Sequence, residues 1–307
     1  TSPNAKNTIV MGPFSHGAWA RENGKHYHND IYFGDSIATF YQKNIEYKFF
    51  NHYLKGDTKT AIDLPEAYMY NTGKKEWQEF TTWPPKEATK LNFYLYASGE
   101  LVQRKPQKIY FSEYFSDPNK PVPSSENYGD LNGFTPRNYM SEDQRFTTSR
   151  PDVLTFTTEY LEEDITLAGE IMAKLKIATE ATDADFIVKL IDIYPLEEPE
   201  NKDKPDVLYA NYHQMVRSEI MPARFRNSFE KPEALKPNTK TKKPGFGIEK
   251  TKPCARSQET LTCLPNVFDV VRRAARKALC GDCLAKVGAP SLQIGYASYP
   301  LRIMALT

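Results

Sequence analysis

The hydrophobic pattern of this chain changes its period between residues 55 and 64, and that change constrains the fold most. Before it, apolar side chains recur at three- and four-residue intervals, which predicts an amphipathic helix over 36–55: Ile37, Phe40, Tyr41, Ile45, Phe49, Tyr53 and Leu54. Asp35 or Ser36 can cap the start of this helix, and Gly56 can end it. From residue 64 onward the apolar residues follow a period of two, which indicates β-strands.

The β segment contains several short strands that are closed by turn signals. Strands at 66–70 and 91–96 are followed by Asn71-Thr72-Gly73 and by Ser98-Gly99. Further strands are predicted at 152–158, 164–178, 184–194 and 207–217. Residues 105–145 predict a long loop laid over a surface, which is uncommon unless the loop is functional or docked. Short strands with regular turns are typical of a jelly-roll or sandwich.

A histidine follows the first strand-like run at a sharp turn. Residues 8–14 predict a strand, and Gly12-Pro13 punctuates it shortly before His16. An open α/β sheet presents its working residues at the ends of its strands, so His16 lies where a catalytic side chain is expected. A neutral imidazole with a pKa of about 6.5 can both take and return a proton near neutral pH. For an isolated histidine, a structural role in the loop is the simpler interpretation.

Several ordered blocks, beginning with this loop, resemble one family. Residues 11–17, Met-Gly-Pro-Phe-Ser-His-Gly, are similar to the histidine loop of the X-prolyl dipeptidyl-peptidase and cocaine-esterase-like serine hydrolases, which include α-amino-acid ester hydrolases and cephalosporin acylases. Later blocks that match in order are 49–56, 150–154, 185–195 and, most specifically, 221–230. The resemblance extends to about residue 240, and Phe14 stands where the family more often has Trp.

The resemblance implies a fold and a mechanism. The fold class is then the C-terminal remnant of an α/β-hydrolase domain at 1–60, an all-β jelly-roll sandwich at 61–243 and an unrelated-looking basic tail at 244–307. In the family pattern His16 is the base of a Ser-His-Asp triad with the chain order Ser, Asp, His. No serine of this sequence lies in a Gly-x-Ser-x-Gly turn, so we expect the nucleophile and the acid before residue 1. The parent would hydrolyse a small-molecule ester or amide through an acyl-enzyme, and this chain alone is expected to be inactive.

The missing nucleophile leaves a second interpretation open. The chain would then be a non-catalytic β-sandwich binding module with a vestigial N-terminal segment, and the Tyr-rich loop at 105–145 would present the binding surface. The missing nucleophile favours this interpretation for the polypeptide as it stands. The intact histidine loop favours the hydrolase for its parent.

The end of the chain differs from the rest in composition. Residues 242–307 contain eleven Lys or Arg against four Asp or Glu, a net charge of +7, together with all four cysteines. Residues 267–279 predict a basic amphipathic helix. Cys280 and Cys283 are separated by two residues but Cys254 and Cys263 by eight, so free thiols are favoured over a zinc site. We therefore predict that residues 244–307 are foreign to the fold, as a fusion, a divergent end or an out-of-frame translation.

Charge and hydropathy narrow the classes of partner. The net charge of the whole chain is +1, which gives no case for a nucleic-acid or membrane-surface partner. No run approaches 18 apolar residues, so the sequence predicts no membrane-spanning helix. His26 and His28 are not accompanied by a third ligand, so an exposed loop is favoured there over a metal site. We predict neither a metal nor a cofactor, and an assembly of identical chains stays open.

Overall fold

The structure is a computed structural model that describes residues 6–21, 24–56, 62–108, 111–126, 137–161 and 164–238, together with the backbone of four later strands. The described residues are mostly β-strands with few helices. The strands are, in chain order, β1 Ile9–Met11, β2 Lys25–His28, β3 Ile31–Asp35, β4 Ala67–Asn71, β5 Glu76–Phe80, β6 Lys90–Leu95, β7 Leu101–Val102, β8 Phe111–Ser112, β9 Val153–Thr157, β10 Ile165–Leu167, β11 Ile171–Ala178, β12 Asp185–Ile193, β13 His213–Pro222, β14 Gly245–Gly247, β15 Asp269–Val271, β16 Lys286–Gly295 and β17 Arg302–Leu306. The α-helices are α1 Ile37–Tyr41, α2 Tyr47–Lys55 and α3 Arg145–Thr148, and the 3-10 turns are Ala18–Ala20, Arg137–Met140 and Ala223–Phe225.

The N-terminal strands form a small sheet of their own. Strand β1 pairs in parallel with β4, and β4 pairs antiparallel with β5. A parallel pair needs a long crossover connection, and here the connection contains the β2–β3 hairpin and the helical segment. Every residue of β4 is buried. The predicted strand at 8–14 is therefore present but shorter, because the chain turns directly after Met11.

The predicted helix at 36–55 is confirmed as one continuous helical run. Helices α1 and α2 are joined by a π-helical turn at Gln42–Glu46, and Gly56 follows α2 with a φ of 66°, the left-handed conformation that ends many helices. Ile37 and Ala38 are buried, whereas α2 buries none of its residues. Its exposed aromatic and aliphatic side chains include Leu54, which is 75% exposed. No helix among the described residues has the length and apolar character needed to cross a bilayer.

Two larger sheets enclose the main hydrophobic core. Among the described strands, one sheet has the order β14-β11-β16-β6-β7 with β8 added on β16, and the other has the order β13-β12-β17-β9. Buried side chains from both sheets meet in one cluster, with Phe93 and Leu175 from the first sheet and Phe156 and Phe186 from the second. A core between two sheets is the architecture of a β-sandwich.

Strand β12 is covered on both faces. Phe186 and Leu190 point into the main core, while Ile191 and Ile193 pack with Val153 in a second cluster on the opposite face. Successive side chains of a strand point to opposite faces, so a strand buried on both reads as an almost continuous apolar run. This double burial explains the unbroken pattern of the segment predicted as a strand at 184–194.

Two predictions for the later part of the chain are corrected. The last predicted strand, at 207–217, is observed as β13, which begins at His213 and extends to Pro222. The tail strands β14, β16 and β17 pair with strands of the two larger sheets, and β16 and β17 lie inside those sheets, whereas we predicted a tail foreign to the fold. The tail strands pair through backbone hydrogen bonds, and the basic composition of the tail gives no information about such bonds. The domain boundary at residue 243 stays a prediction.

The predicted helix at 267–279 is wrong where the structure describes it. Residues Asp269–Val271 form β15, which pairs antiparallel with β10. A strand pairing with a partner far away in sequence overrides the local helical spacing. The rest of that predicted helix and all four cysteines lie outside the described residues.

The end of the long loop is held against β12 by buried polar groups. Lys189 is 5% exposed, and its ammonium donates a hydrogen bond to Gln144 Oε1 over 2.7 Å. The Glu142 carboxylate accepts from the buried Ser125 hydroxyl over 3.1 Å. Burial lowers the pKa of Lys189 from about 10.5 to about 8, against the opposing effect of Glu142, and burial raises the pKa of Glu142. The end of the loop is therefore docked on the sandwich. Docking was one of the two alternatives, functional or docked, that we predicted for residues 105–145.

Replacing Lys189 by methionine should change how stability depends on pH. The unfolded chain keeps the Lys189 proton up to a pH of about 10.5 whereas the folded chain releases it near 8, so unfolding takes up a proton between these values and stability rises with pH. We expect the wild type to gain about 2 kcal/mol relative to Lys189→Met between pH 7 and pH 10. Urea unfolding followed by circular dichroism measures this difference, and parallel pH profiles would contradict it.

Candidate functional site

The loop that carries His16 begins with a turn that requires glycine. The amide of Phe14 donates to the carbonyl of Gly12 over 2.8 Å, which reverses the chain directly after β1. A Cβ atom at Gly12 would lie 2.5 Å from the ring of Phe14 and 2.9 Å from the ring of Trp77. Both distances are too short for a side chain, so the close approach of the loop to these rings depends on glycine at residue 12.

His16 lies at the exposed tip of this loop. Its imidazole faces solvent and contacts the edge of Trp19, with the ring centroids 6.2 Å apart. Its backbone is held by Arg21, whose guanidinium donates to the carbonyl of His16 over 2.7 Å and to that of Gly17 over 3.3 Å. Gly17 has a φ of 74°, so it adopts the left-handed conformation that glycine tolerates best. The imidazole is thus presented on a backbone that is fixed from one side.

A second histidine fixes the other side of the loop. His26 is 8% exposed, and its Nε2 lies 2.7 Å from the carbonyl oxygen of Pro13. A carbonyl only accepts, so Nε2 of His26 carries the proton. The His26 ring also contacts the Phe14 ring edge-on at 5.5 Å. Our interpretation of residues 26 and 28 as an exposed loop is wrong, because both belong to strand β2 and His26 is buried there by the His16 loop.

An aromatic cluster supports the loop from below. The Phe14 ring lies 5.9 Å from Tyr41 of α1 and 6.2 Å from Trp77 of β5. Trp77 in turn stacks on Phe40 at 5.8 Å and meets Tyr70 at 5.3 Å. The loop, the helix and the small sheet therefore share one set of ring contacts, so the position of His16 depends on all three.

Among the described residues, no carboxylate, hydroxyl or thiol is hydrogen-bonded to the His16 imidazole. Within the part of the chain that the structure describes, the His16 imidazole makes no hydrogen bond and no ion pair. Asp35 lies at the exposed end of β3. His213 is buried in β13, where its amide donates to the side chain of Asp143, so it has a structural role in the sandwich. The arrangement around His16 can present a base but cannot by itself complete a triad.

The structure describes two tyrosines of the long loop, Tyr114 and Tyr139, of which Tyr139 is partly exposed. Tyr114 is 1% exposed and belongs to the main core. Ser125 and Glu142 are buried in the polar contacts to β12 described above. Residues 127–136 lie outside the described residues. The described portions of this loop therefore anchor it to the sandwich.

Sequence reasoning located His16 but missed the residues that hold its loop. Arg21 follows His16 by five residues, a spacing that lets one short turn return its guanidinium to the loop carbonyls. The alternation of Lys25 to His28 before the turn residues Asn29 and Asp30 is a strand signal that could have predicted β2. Nothing in the local pattern reveals that His26 would face Pro13.

In comparisons with known proteins, one family model matches most of the chain. The model of the X-Pro dipeptidyl-peptidase C-terminal non-catalytic domain matches residues 60–242. The cocaine esterase of Rhodococcus sp. (strain MB1 Bresler) is 30% identical over 203 residues, which are 62% of this chain and 34% of that protein. The chain thus spans about a third of the length of this relative.

Two solved structures share the fold over nearly the whole chain. An α-amino acid ester hydrolase superposes with a TM-score of 0.71 and 26% identity, covering 98% of this chain and 48% of that one. An aminopeptidase from the marine sediment archaeon Thaumarchaeota archaeon also has a TM-score of 0.71, with 24% identity, and covers 100% of this chain and 51% of that one. In both cases this chain corresponds to about half of the solved protein.

Proposed function

Because this chain belongs to the family of X-Pro dipeptidyl-peptidase C-terminal non-catalytic domains, we propose that it is the C-terminal part of a serine acyl hydrolase. Residues 61–243 would be its jelly-roll sandwich, and residues 1–60 would be the end of its α/β-hydrolase domain. The similarity to an esterase and to an ester hydrolase supports a hydrolase as the parent protein. The observation that carries the proposal is the exposed imidazole of His16 on a loop held at both ends.

His16 would be the proton carrier of the reaction. A serine hydroxyl is a weak nucleophile until a base takes its proton, and a neutral imidazole does this as the serine attacks the ester or amide carbonyl. The same imidazole then returns the proton to the leaving alcohol or amine, and a water molecule hydrolyses the acyl-enzyme by the reverse sequence. Backbone amides of an oxyanion hole would stabilise the negative oxygen of each tetrahedral intermediate.

The serine and the carboxylate would come from the hydrolase segment that the relatives carry in addition. This chain spans about half of the solved structures it matches, which leaves ample chain for a nucleophile turn and an acid. The carboxylate would hold the imidazole in the correct tautomer, a partner that His16 does not have among the described residues. The exposed apolar side chains of α2 support the same arrangement, since a contiguous apolar patch normally lies against another surface.

A fluorophosphonate probe, which reacts covalently with activated serines, tests the proposal. The protein is produced together with the translation of its upstream coding sequence, and labelling is expected at one serine within a Gly-x-Ser-x-Gly turn. The 307-residue chain is the matched control and should stay unlabelled. An upstream reading frame without such a serine, or a full-length protein that the probe does not modify, would refute the proposal.

A non-catalytic binding module is the second candidate function, and the family match itself is to a domain described as non-catalytic. Within the described part of the loop at 105–145, Tyr114, Ser125 and Glu142 are buried, whereas Phe111, Phe115 and Met140 expose apolar side chains that a binding surface would use. The labelling experiment separates the two candidates, since a binding module would be produced without an upstream serine hydrolase segment.

A further inference from the structure

A cleft of about 590 Å³ lies away from the His16 loop, between the β2–β3 hairpin and the segment that connects β12 to β13. Its volume is within the range of about 300–1,000 Å³ that is usual for small-molecule sites. The turn after β4 closes one end with Thr72, Gly73 and Lys75. The proposal made for this cleft does not depend on the function proposed for His16.

The walls of the cleft are aromatic. Tyr27 and Tyr32 of the hairpin lie with their ring centroids 5.1 Å apart, and Tyr194 and Tyr209 stack at 6.2 Å on the opposite side. Burial, together with hydrogen bonding to Asp35, raises the pKa of Tyr32 to about 12, so its phenol is neutral at physiological pH. A neutral tyrosine ring has an electron-rich face, which attracts cations.

The charged groups of the cleft favour a cation as well. Five carboxylates and three lysines of the described residues line the cleft, and the Lys204 ammonium lies over the ring of Tyr27, which leaves a net charge of −1: Asp35, Asp192, Glu198, Glu200 and Asp203 against Lys25, Lys75, Lys202 and Lys204. Lys25 is already paired with Asp203 over 2.6 Å, and Tyr27 donates to the same carboxylate over 3.0 Å. The hydrogen bond from Lys25 lowers the pKa of Asp203, so this carboxylate stays ionised.

Ammonium groups of the chain itself already lie over the tyrosine rings. The Lys75 ammonium is 4.4 Å from the centroid of Tyr32, well within the distance of a cation–π contact. The Lys204 ammonium is 5.8 Å from the centroid of Tyr27. These contacts illustrate how an alkylammonium ion can be held in the cleft, because the cleft offers both a tyrosine ring face and nearby carboxylates.

We propose that this cleft binds a small organic ammonium ion, with the cationic group on the ring faces of Tyr27 and Tyr32 and the carboxylates providing long-range attraction. The bound cation would compete with the Lys75 side chain for the face of Tyr32. Lys75 therefore acts as an internal competitor, and its removal should improve binding.

Choline and its neutral isostere 3,3-dimethylbutan-1-ol test the role of charge. The two molecules have nearly the same shape, but only choline carries a positive charge. In saturation-transfer NMR with the 307-residue protein at constant ionic strength, choline should bind with a Kd on the order of 1 mM, and the isostere should give no saturable signal. Equal responses from the two molecules, or no response from choline, would overturn the proposal.

Variants of two cleft residues locate the binding. Lys75→Met should tighten choline binding about two- to fivefold by freeing the face of Tyr32, a gain that partial unfolding cannot produce. Tyr32→Leu should weaken it by a similar factor, whereas Tyr160→Leu, at a tyrosine that is 51% exposed and outside the cleft, should leave it unchanged. An unchanged Kd for Lys75→Met, or an equal loss for both tyrosine variants, would place choline elsewhere and overturn the proposal.

Discussion

Replacement of His16 by alanine should lower kcat for ester hydrolysis at least about 10⁴-fold in the protein that includes its upstream hydrolase segment. Without the imidazole, no base takes the proton from the serine hydroxyl during attack or from the water that hydrolyses the acyl-enzyme. The folded structure should be unaffected, because the His16 side chain is exposed and its described contact is the edge of Trp19. Steady-state hydrolysis of p-nitrophenyl acetate by wild type and variant measures the effect.

The matched control for this experiment is His52→Ala. His52 is a partly exposed histidine on α2, and we expect its replacement to leave kcat within about twofold of wild type. Circular dichroism spectra of the two variants establish that both are folded. If His16→Ala kept more than a tenth of the wild-type kcat, His16 would not be the base, and the assignment of its loop would be wrong.

The position of His16 could be predicted from sequence because the signals that specify it are local. Gly12 and Pro13 interrupt an apolar run, and the histidine follows within a few residues. The residues that hold the loop could not be found in the same way. The contact of His26 with Pro13 joins residues 13 positions apart, and it forms only when the β2–β3 hairpin folds back over the loop.

The fold shows the same division between local and long-range information. The helix over 36–55 and the strand at 185–193 were predictable because each carries a clear hydrophobic period or run. The start of β13 was misplaced because Tyr209 and Tyr212 are buried, as residues of a strand would be. These rings instead pack with Tyr194 from a connecting segment, and burial of aromatic side chains outside strands leaves no periodic signal.

The pairing of the tail strands could not be predicted from any local sequence pattern. Strand β16 pairs with β11 and β6, and β17 pairs with β12 and β9, across separations of more than a hundred residues. A central strand forms hydrogen bonds with the unpaired backbone groups at the edges of its neighbours. These edges are a property of the folded sheet rather than of the strand's own sequence. Composition and net charge, the grounds for predicting a foreign tail, contain no information about those edges.

The Trp77 side chain should contribute strongly to the stability of the N-terminal region. We expect Trp77→Ala to lower the free energy of unfolding by about 3 kcal/mol, because the truncation removes ring contacts to Phe14, Phe40 and Tyr70 at once. The amide of Phe14, which donates to Gly12 in the turn before His16, should lose protection against hydrogen exchange. Urea unfolding followed by circular dichroism measures the first effect, and exchange mass spectrometry measures the second.

Trp19→Ala is the control for Trp77→Ala. Trp19 is 38% exposed and adjoins the same loop, so the identical truncation there should cost no more than about 0.5 kcal/mol. Trp77→Phe should fall between the two, since phenylalanine keeps an aromatic ring but fills less of the space under Gly12. Equal costs for the two alanine variants would mean that the aromatic cluster does not support the loop. His16 would then be positioned by the backbone contacts of Arg21 and His26 alone.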